Sequence, residues 1–351
     1  MNYSEIHTLK HLANYLRCSD EHLESILNGY TYVFDQISKV EIKYANSENP
    51  IESKTPIKIQ RFYLKKKNKS LGYRVVHKVT SDIFSSILKI LNTNLSLLYI
   101  PPKCVHGFVK YRNIKTNATE HLSKKFILSV DISSFFESIT YDMIVESLVN
   151  LGFNKNIAEY IAVLTTIDKK LVQGYNTSPT IANIVANKLD NELIEACNNK
   201  YTYTRYADDL YFSSNDDIPD VSLVERIIIN NGFSINPLKT KLMTRGSNQY
   251  VTGLTVFDSY FPRIPKRIKR RIRLELHYIK RFGIESHACR VLNYSIEDYQ
   301  NSSYIRDEVD CYIASLKYRI SGWIYFIKSI EPKIADKFKT EFEEYLEYVN
   351  N

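Results

Sequence analysis

Two adjacent aspartates, Asp208 and Asp209, interrupt a run of β-forming residues, TYTRYADDLYFSS, at residues 202–214. Aromatic and β-branched residues on both sides predict two strands joined by a short turn at the acids. Neighbouring carboxylates repel each other and resist burial, so the pair indicates either a solvated turn, for which Asp is a favoured residue, or a cation site. Side chains alternate along a strand, so both acids face the same way only if a tight turn breaks the alternation.

A third acid ends another apolar run. The segment KKFILSVDISSFF predicts a buried strand that ends at Asp131. Strands with helical connections readily become neighbours in one sheet, which would bring Asp131 to Asp208. Carboxylates on neighbouring strands can hold two divalent cations about 4 Å apart, as nucleotidyl transfer requires. We therefore expect Asp208 to be a shared metal ligand and Asp209 to be a more loosely held one.

Periodicity along the rest of the chain predicts a mixed α+β protein. Short amphipathic helices are expected over 5–40, a basic hairpin within 41–80 and a helix over 80–98. Helices are also expected between the two acidic segments, and a further helix and a hairpin, 235–257, follow the Asp pair.

The composition shifts near residue 261, where we place a boundary. The segment PKRIKRRIRLELHYIKRFG, which starts at Pro265, surrounds an apolar helical seam with basic side chains. Such a face predicts contact with a nucleic-acid backbone, because cationic side chains displace condensed counterions. A membrane-surface helix is the alternative, but the seam has no interfacial Trp. The proposed contact residues are Arg267, Arg270, Arg271 and Arg273.

Composition excludes several other classes. A chain of 351 residues with 44% hydrophobic residues can bury a large core in two or three units. A net charge of +8 permits an acidic partner without demanding one. The five cysteines show no close spacing, so neither a zinc ribbon nor a disulfide framework is expected. The absence of a secretory or membrane-spanning apolar run predicts a soluble cytoplasmic protein.

Five short blocks occur in the order in which reverse transcriptases have them, and together they closely resemble that family. They are DISSFF (131–136), QGYNTSP (173–179), YADD (206–209), NPLKTK (236–241) and VTGL (251–254). NATEH (117–121) and VTG (251–253) further resemble two hallmarks of bacterial retron reverse transcriptases. The resemblance covers roughly residues 20–280, and no nuclease or maturase extension is recognisable after it.

The resemblance implies a right-hand polymerase of the α+β class with four regions. These are an N-terminal helical lead-in (1–45), fingers with part of the palm (46–125), a palm with an antiparallel sheet (126–261) and a helical thumb with an RNA-binding C-terminal region (262–351).

The implied activity is that of an RNA-directed DNA polymerase with two Mg²⁺ ions at Asp131, Asp208 and Asp209. By resemblance, it would prime on a 2′-hydroxyl of its own structured noncoding RNA and consume dNTPs. The product would be branched RNA-linked DNA, called msDNA, and the protein would act with an effector protein in anti-phage defence. Alternatives are a group II intron or abortive-infection reverse transcriptase, or a noncatalytic RNA-binding subunit.

Several residues acquire roles from the resemblance. Phe136 matches the steric gate, whose ring would clash with a ribose 2′-hydroxyl, whereas Phe135 is expected in the core. Lys69 and Arg74 would clamp triphosphate oxygens, or else belong to a solvated basic face. Lys239 would donate a proton to pyrophosphate, or else be a surface lysine.

Gln173 and Gly174 match the turn that lets the backbone approach the templating pair, with an ordinary helix entry as the alternative. The chain departs from the family pattern beside this turn, at Val172, Tyr175 and Asn176. The resemblance implies that these positions lie beside the incoming nucleotide, where the bulky Tyr175 would bear on the shape of the pocket.

The retron hallmarks imply further RNA contacts. Asn117 and His121 would contact the RNA partner, or else form a local hydrogen-bonded pair. Val251, Thr252 and Gly253 are assigned to the same partner. His121 is not expected to bind a metal, because no second ligand-spaced His or Cys lies near it in the sequence.

Overall fold

The computed structural model describes residues 3–28, 30–32, 57–65 and 72–347, and it confirms a mixed helix and sheet protein. A 3₁₀ helix, Tyr3–Glu5, comes first. The α-helices are α1 (Leu9–Tyr15), α2 (Asp20–Leu27), α3 (Asp82–Leu98), α4 (Ile114–Thr119), α5 (Phe135–Ser138), α6 (Tyr141–Asn150), α7 (Lys155–Thr165), α8 (Ser178–Val185), α9 (Asn187–Cys197), α10 (Val221–Asn230), α11 (Lys266–Phe282), α12 (Ile284–Leu292), α13 (Ile296–Asn301), α14 (Ser303–Ile330) and α15 (Pro332–Glu347).

The strands are β1 (Tyr30–Tyr32), β2 (Ile57–Lys65), β3 (Tyr73–Val79), β4 (Phe126–Asp131), β5 (Thr166–Ile167), β6 (Lys170–Leu171), β7 (Thr202–Tyr206), β8 (Asp209–Ser214), β9 (Lys241–Thr244), β10 (Tyr250–Val251) and β11 (Leu254–Thr255). None of the helices in these described ranges has both the length and the apolar character needed to cross a bilayer.

The chain forms two compact units. The first comprises Met1–Asn113 and Lys125–Met243, and the second comprises Ile114–Lys124 and Thr244–Asn351. The division into four regions that the resemblance implies stays a prediction.

A four-stranded sheet in the order β7-β8-β4-β9 forms the centre of the first unit. Strand β8 lies antiparallel to both β7 and β4. Apolar side chains such as Val130, Leu210 and Phe212 are buried because the helices of this unit pack over the sheet in one hydrophobic core. Strand β4 is therefore the neighbour of β8, as the two apolar runs predicted.

The hairpin predicted over 235–257 is wrong. Strand β9 joins the four-stranded sheet beside β4, and β10 pairs with β11 in a separate two-stranded hairpin. The edge of β4 offers unpaired backbone groups, and β9 satisfies them. The turn of the small hairpin contains Thr252 and Gly253, both with positive φ.

Helices α11 to α15 make up most of the second unit. The seam of α11 is buried at Ile272, Leu276 and Ile279, as its spacing predicted. Lys269 is also buried, and its Nζ lies 3.0 Å from a carboxylate oxygen of Glu331, so it does not belong to the exposed basic face.

Candidate active site

Three aspartates meet at one corner of the four-stranded sheet. Asp131 is the last residue of β4 and Asp209 the first of β8, and the two are register partners. Asp208 lies in the two-residue turn between β7 and β8, and its carbonyl accepts a hydrogen bond from the backbone N–H of Ile132 at 2.9 Å. Ala207 has φ +58, the left-handed conformation found in tight hairpin turns. This turn breaks the strand alternation, as the adjacent acids required.

Burial and neighbouring negative charge raise the proton affinity of Asp208 and Asp209. Burial, followed by the charges of Asp208 and Asp131, raises the pKa of Asp209 to about 7. Burial and the charge of Asp131 also raise the pKa of Asp208, although the positive charges of Lys239 and Arg74 act against the rise. Burial and neighbouring negative charge thus both disfavour the ionised forms of Asp208 and Asp209.

Lys239 supplies part of the balancing charge. Its Nζ donates a hydrogen bond to Oδ2 of Asp131 at 2.8 Å, which is the largest cause of the raised pKa of Lys239. The Asn236 N–H donates to the Asp131 carbonyl at 2.8 Å, so this turn is anchored on the end of β4. The ammonium of Lys239 thus lies beside the acids, as a proton donor there would require.

The donor set fits a hard divalent cation, since Mg²⁺ prefers carboxylate oxygens. Within the described residues, no three His, Cys, Asp or Glu side chains are arranged to hold a metal ion as they stand. The ammonium of Lys239 bonds to one of the three aspartates. Their assignment as metal ligands stays a prediction.

Strand β3 packs against the turn at Gln173 and Gly174. The His77 N–H donates to the Gln173 carbonyl at 2.8 Å, and a Cβ on Gly174 would lie 2.2 Å from the His77 carbonyl oxygen. Gly174 also has φ +109, so glycine is required for this close approach. Arg74 is exposed on β3, and its charge acts on Asp208. Lys69 lies outside the described residues.

The expectation for Tyr175 is wrong. Tyr175 is 3% exposed and packs edge-on against Phe84 in the core, with ring centroids 5.8 Å apart. Val172 is buried as well, whereas Asn176 is exposed. The turn directs the large side chain inward, where α3 provides an apolar contact, and not into a nucleotide pocket.

The two phenylalanines after β4 differ in burial. Phe135 is 3% exposed and lies in the core, as expected. Phe136 is only partly buried, which leaves part of its ring available to a ligand. Its use as a gate stays a prediction.

The retron hallmark residues are mostly buried in the second unit. Asn117, His121 and Val251 are each 0% exposed, so the structure contradicts the prediction that they contact RNA directly. Helix α4 packs against the β10–β11 hairpin, where the Thr252 hydroxyl donates to the Ile114 carbonyl at 3.0 Å. Burial separates the side chains of Asn117, His121 and Val251 from any surface ligand. Gly253, by contrast, is exposed in the turn.

The four predicted arginines of α11 lie on its exposed face. They are Arg267, Arg270, Arg271 and Arg273. Their contact with nucleic acid stays a prediction.

Arg205 is a residue that sequence reasoning missed. It immediately precedes the YADD block, yet it is 0% exposed. Its Nε and Nη2 donate to the two carboxylate oxygens of Asp190 at 2.8 and 2.7 Å. Its Nη1 donates to Asn183 Oδ1 at 3.0 Å and to the Ala207 carbonyl at 3.3 Å. A charged residue inside an aromatic strand was the available signal, since such residues are buried only when paired.

Comparison with known proteins identifies one family. The model of the family "Reverse transcriptase (RNA-dependent DNA polymerase)" matches residues 64–296. The retron Mx65 reverse transcriptase of Myxococcus xanthus is 32% identical over 250 residues, which are 64% of this chain and 57% of that protein.

Two further relatives are similar. The retron Mx162 reverse transcriptase of Myxococcus xanthus is 31% identical over 50% of this chain and 44% of that protein. The retron Ec86 reverse transcriptase of Escherichia coli is 29% identical over 62% and 69%. The chain thus spans about half the length of the first two relatives.

Proposed function

The chain belongs to the reverse transcriptase family, and from that premise we propose that it is the RNA-directed DNA polymerase of a retron. The observation that supports this activity best is the position of Asp131, Asp208 and Asp209 at one corner of a sheet. The comparisons with retron reverse transcriptases support the subclass. The first unit would then contain most of the fingers and palm, and helices α11 to α15 of the second unit would form the thumb.

The three aspartates would hold two Mg²⁺ ions. When bound, these ions would lower the barrier by stabilising the attacking and leaving oxygens. Arg74 would bind the triphosphate through its fork of donors, since its charge already acts on this corner. Lys239 would give a proton to pyrophosphate, and Gln173 and Gly174 would support the templating base pair.

Sugar selection would fall to Phe136. A ring in van der Waals contact with C2′ of a deoxynucleotide would clash with a ribose hydroxyl. The partial exposure of Phe136, beside the buried Phe135, supports this role.

The retron assignment extends to substrate and partners. The protein would bind its own structured noncoding RNA, prime on a 2′-hydroxyl and leave msDNA joined to that RNA. The exposed arginines of α11 would bind the nucleic-acid backbone, with a salt dependence that reports the phosphates contacted. An effector protein would act with this complex in anti-phage defence in the cytoplasm.

Primer extension on an RNA template with Mg²⁺ tests the activity. Asp208→Ala should abolish DNA synthesis, whereas Asp216→Ala, a change at an exposed acid of the same unit, should leave synthesis close to wild type. Equal synthesis by Asp208→Ala and wild type would contradict the polymerase assignment and favour a noncatalytic RNA-binding subunit.

Sequencing the nucleic acid that copurifies with the chain tests the retron assignment. A branched RNA-linked DNA should be present, and the debranching of its 2′,5′ linkage should release linear DNA. Unbranched complementary DNA alone would favour another bacterial reverse transcriptase.

A further inference from the structure

The ring of Phe136 contacts two other aromatic rings. The first is Phe135, with ring centroids 5.6 Å apart and planes inclined at 64°. Phe108 lies at 6.1 Å and 62°. Phe135 is fixed in the core and packs on Phe233 at 5.7 Å, whereas Phe108 is 49% exposed and comes from the loop after α3. Phe136 therefore contacts one core ring and one loop ring.

The loop that contains Phe108 forms backbone hydrogen bonds with Arg205, the residue before the YADD block. The Arg205 N–H donates to the Cys104 carbonyl at 2.8 Å, and the His106 N–H donates to the Arg205 carbonyl at 2.7 Å. Val105 forms a parallel bridge with Arg205. Residues 104–106 thus extend the sheet beside β7, and the chain reaches Phe108 two residues later.

Gly107 brings this loop against the turn that contains Asp208. A Cβ on Gly107 would lie 2.3 Å from the backbone nitrogen of Ala207, so the two backbones are in direct contact. The Gly107 carbonyl accepts a hydrogen bond from Nδ2 of Asn183 at 3.0 Å. Asn183 accepts in turn from the buried guanidinium of Arg205. The loop and the turn are therefore held as one assembly.

Two more features fix Phe108. Nη1 of Arg112 donates to the carbonyls of Pro102 and Val105 at 2.5 and 2.6 Å, which closes the loop with charge-assisted bonds. Phe108 itself has φ +61, in the left-handed region that side chains with a β-carbon disfavour. A bulky residue keeps such a conformation only when its surroundings impose it, and strained positions cluster at functional sites.

We propose that Phe108 is a positioning residue for sugar selection, because it holds the ring of Phe136 in place as a gate against a ribose 2′-hydroxyl. This inference rests on the proposed role of Phe136. Without the Phe108 ring, Phe136 loses this aromatic contact and its ring gains freedom to turn away from the sugar. The pocket would then admit ribonucleotides more readily, while the aspartates stay in place.

Single-nucleotide insertion by the full chain on an RNA template measures the effect. For each variant, kcat/KM is determined for one dNTP and for the matching rNTP, and their ratio is the readout. Phe136→Ala should lower the ratio most. Phe108→Ala should lower it by roughly 2- to 12-fold, the equivalent of one aromatic pair. Phe108→Tyr, which keeps the ring, should restore a ratio close to wild type.

Two controls separate positioning from folding. Tyr111→Ala removes an aromatic that is 86% exposed in the same loop and should leave the ratio unchanged. Phe108→Leu keeps an apolar side chain and therefore the loop, yet it lacks the ring and should lower the ratio as Phe108→Ala does. The double variant of Phe108 and Phe136 should be no less selective than Phe136→Ala alone, because the loop residue acts through the gate.

The outcomes distinguish this inference from the proposed function. An unchanged ratio in Phe136→Ala would overturn the gate and this inference with it. A lowered ratio in Phe136→Ala together with an unchanged ratio in Phe108→Ala and Phe108→Leu would overturn this inference alone. Equal losses of dNTP and rNTP insertion in both Phe108 variants would indicate a structural role and would also overturn it.

Discussion

The buried ion pair behind the YADD turn gives the largest stability effect that we predict. Both side chains of the pair, Arg205 and Asp190, are 0% exposed. Asp190 accepts three hydrogen bonds, two from Arg205 and one from the Tyr203 hydroxyl at 2.8 Å. Burial acts to lower the pKa of Arg205, but the charge and hydrogen bonds of Asp190 outweigh it and raise that pKa. The guanidinium therefore stays charged and depends on its partner.

Asp190→Leu leaves this charge buried and unpaired. Breaking a buried pair on one side costs about 3–5 kcal/mol. For a unit of this size, each kcal/mol lowers Tm by about 2–4 °C, so Tm should fall on the order of 10 °C. Replacing both partners, in Asp190→Leu/Arg205→Met, removes the charge as well as its partner and should recover most of the loss.

Urea denaturation of the single and double variants measures these free energies of unfolding, with Asp216→Asn as a control at an exposed acid. The control should lie within about 0.5 kcal/mol of wild type. A loss below about 1 kcal/mol in Asp190→Leu, or a double variant as unstable as the single, would refute the reasoning. DNA synthesis by the double variant should stay reduced even where stability returns, because the bond to the Ala207 carbonyl is gone.

Three further predictions concern the corner of the acids. Gly174→Ala should raise KM for dNTPs at least several-fold in steady-state assays, since its Cβ would meet the His77 carbonyl and displace β3; an unchanged KM would contradict that close approach. In metal-free buffer, the raised pKa of Asp209 means that the folded state keeps a proton at pH values where the unfolded state has released it. The stabilisation that this proton gives to the folded state is fully present below about pH 4 and should be lost as the pH rises through about 7. Denaturation against pH should show a flatter profile for Asp209→Asn, and parallel profiles would contradict the shift. Lys239→Met should destabilise the metal-free protein by up to about 1 kcal/mol, because Asp131 loses its ion pair. Added Mg²⁺ should reduce the difference in melting temperature between this variant and wild type, and a difference that Mg²⁺ leaves unchanged would contradict the prediction.

Sequence was sufficient wherever a pattern is local. The apolar run that ends in Asp131 and the two arms around Asp208 each determine a strand and its terminal acid, and those strands are neighbours in the sheet. The seam of α11 follows in the same way from helical spacing. The hairpin at 235–257 was not predictable, because the partner of β9 is β4, more than a hundred residues earlier in the chain.

Burial of polar residues was the other failure. Asn117 and His121 look like surface contacts in the sequence, and Arg205 looks like one more basic residue, yet all three are fully buried. The side-chain partners of Arg205 are Asp190 and Asn183, which lie on two separate helices. Spacing along the chain does not reveal which helices pack against a strand, and polar residues are mostly exposed, so burial is not expected for them from sequence.

Different residues determine where the three aspartates of the acidic corner lie and how their negative charge is balanced. Arg205 holds the turn through the Ala207 carbonyl, and no described hydrogen bond joins it to the three carboxylates of the corner. Lys239 balances Asp131 from a side chain that is 55% exposed. An exposed ammonium can yield its place to another cation at low cost, whereas a fully desolvated guanidinium cannot leave its partner. Substitution of Lys239 should therefore change the charge balance of the site, and substitution of Arg205 should change where the acids lie.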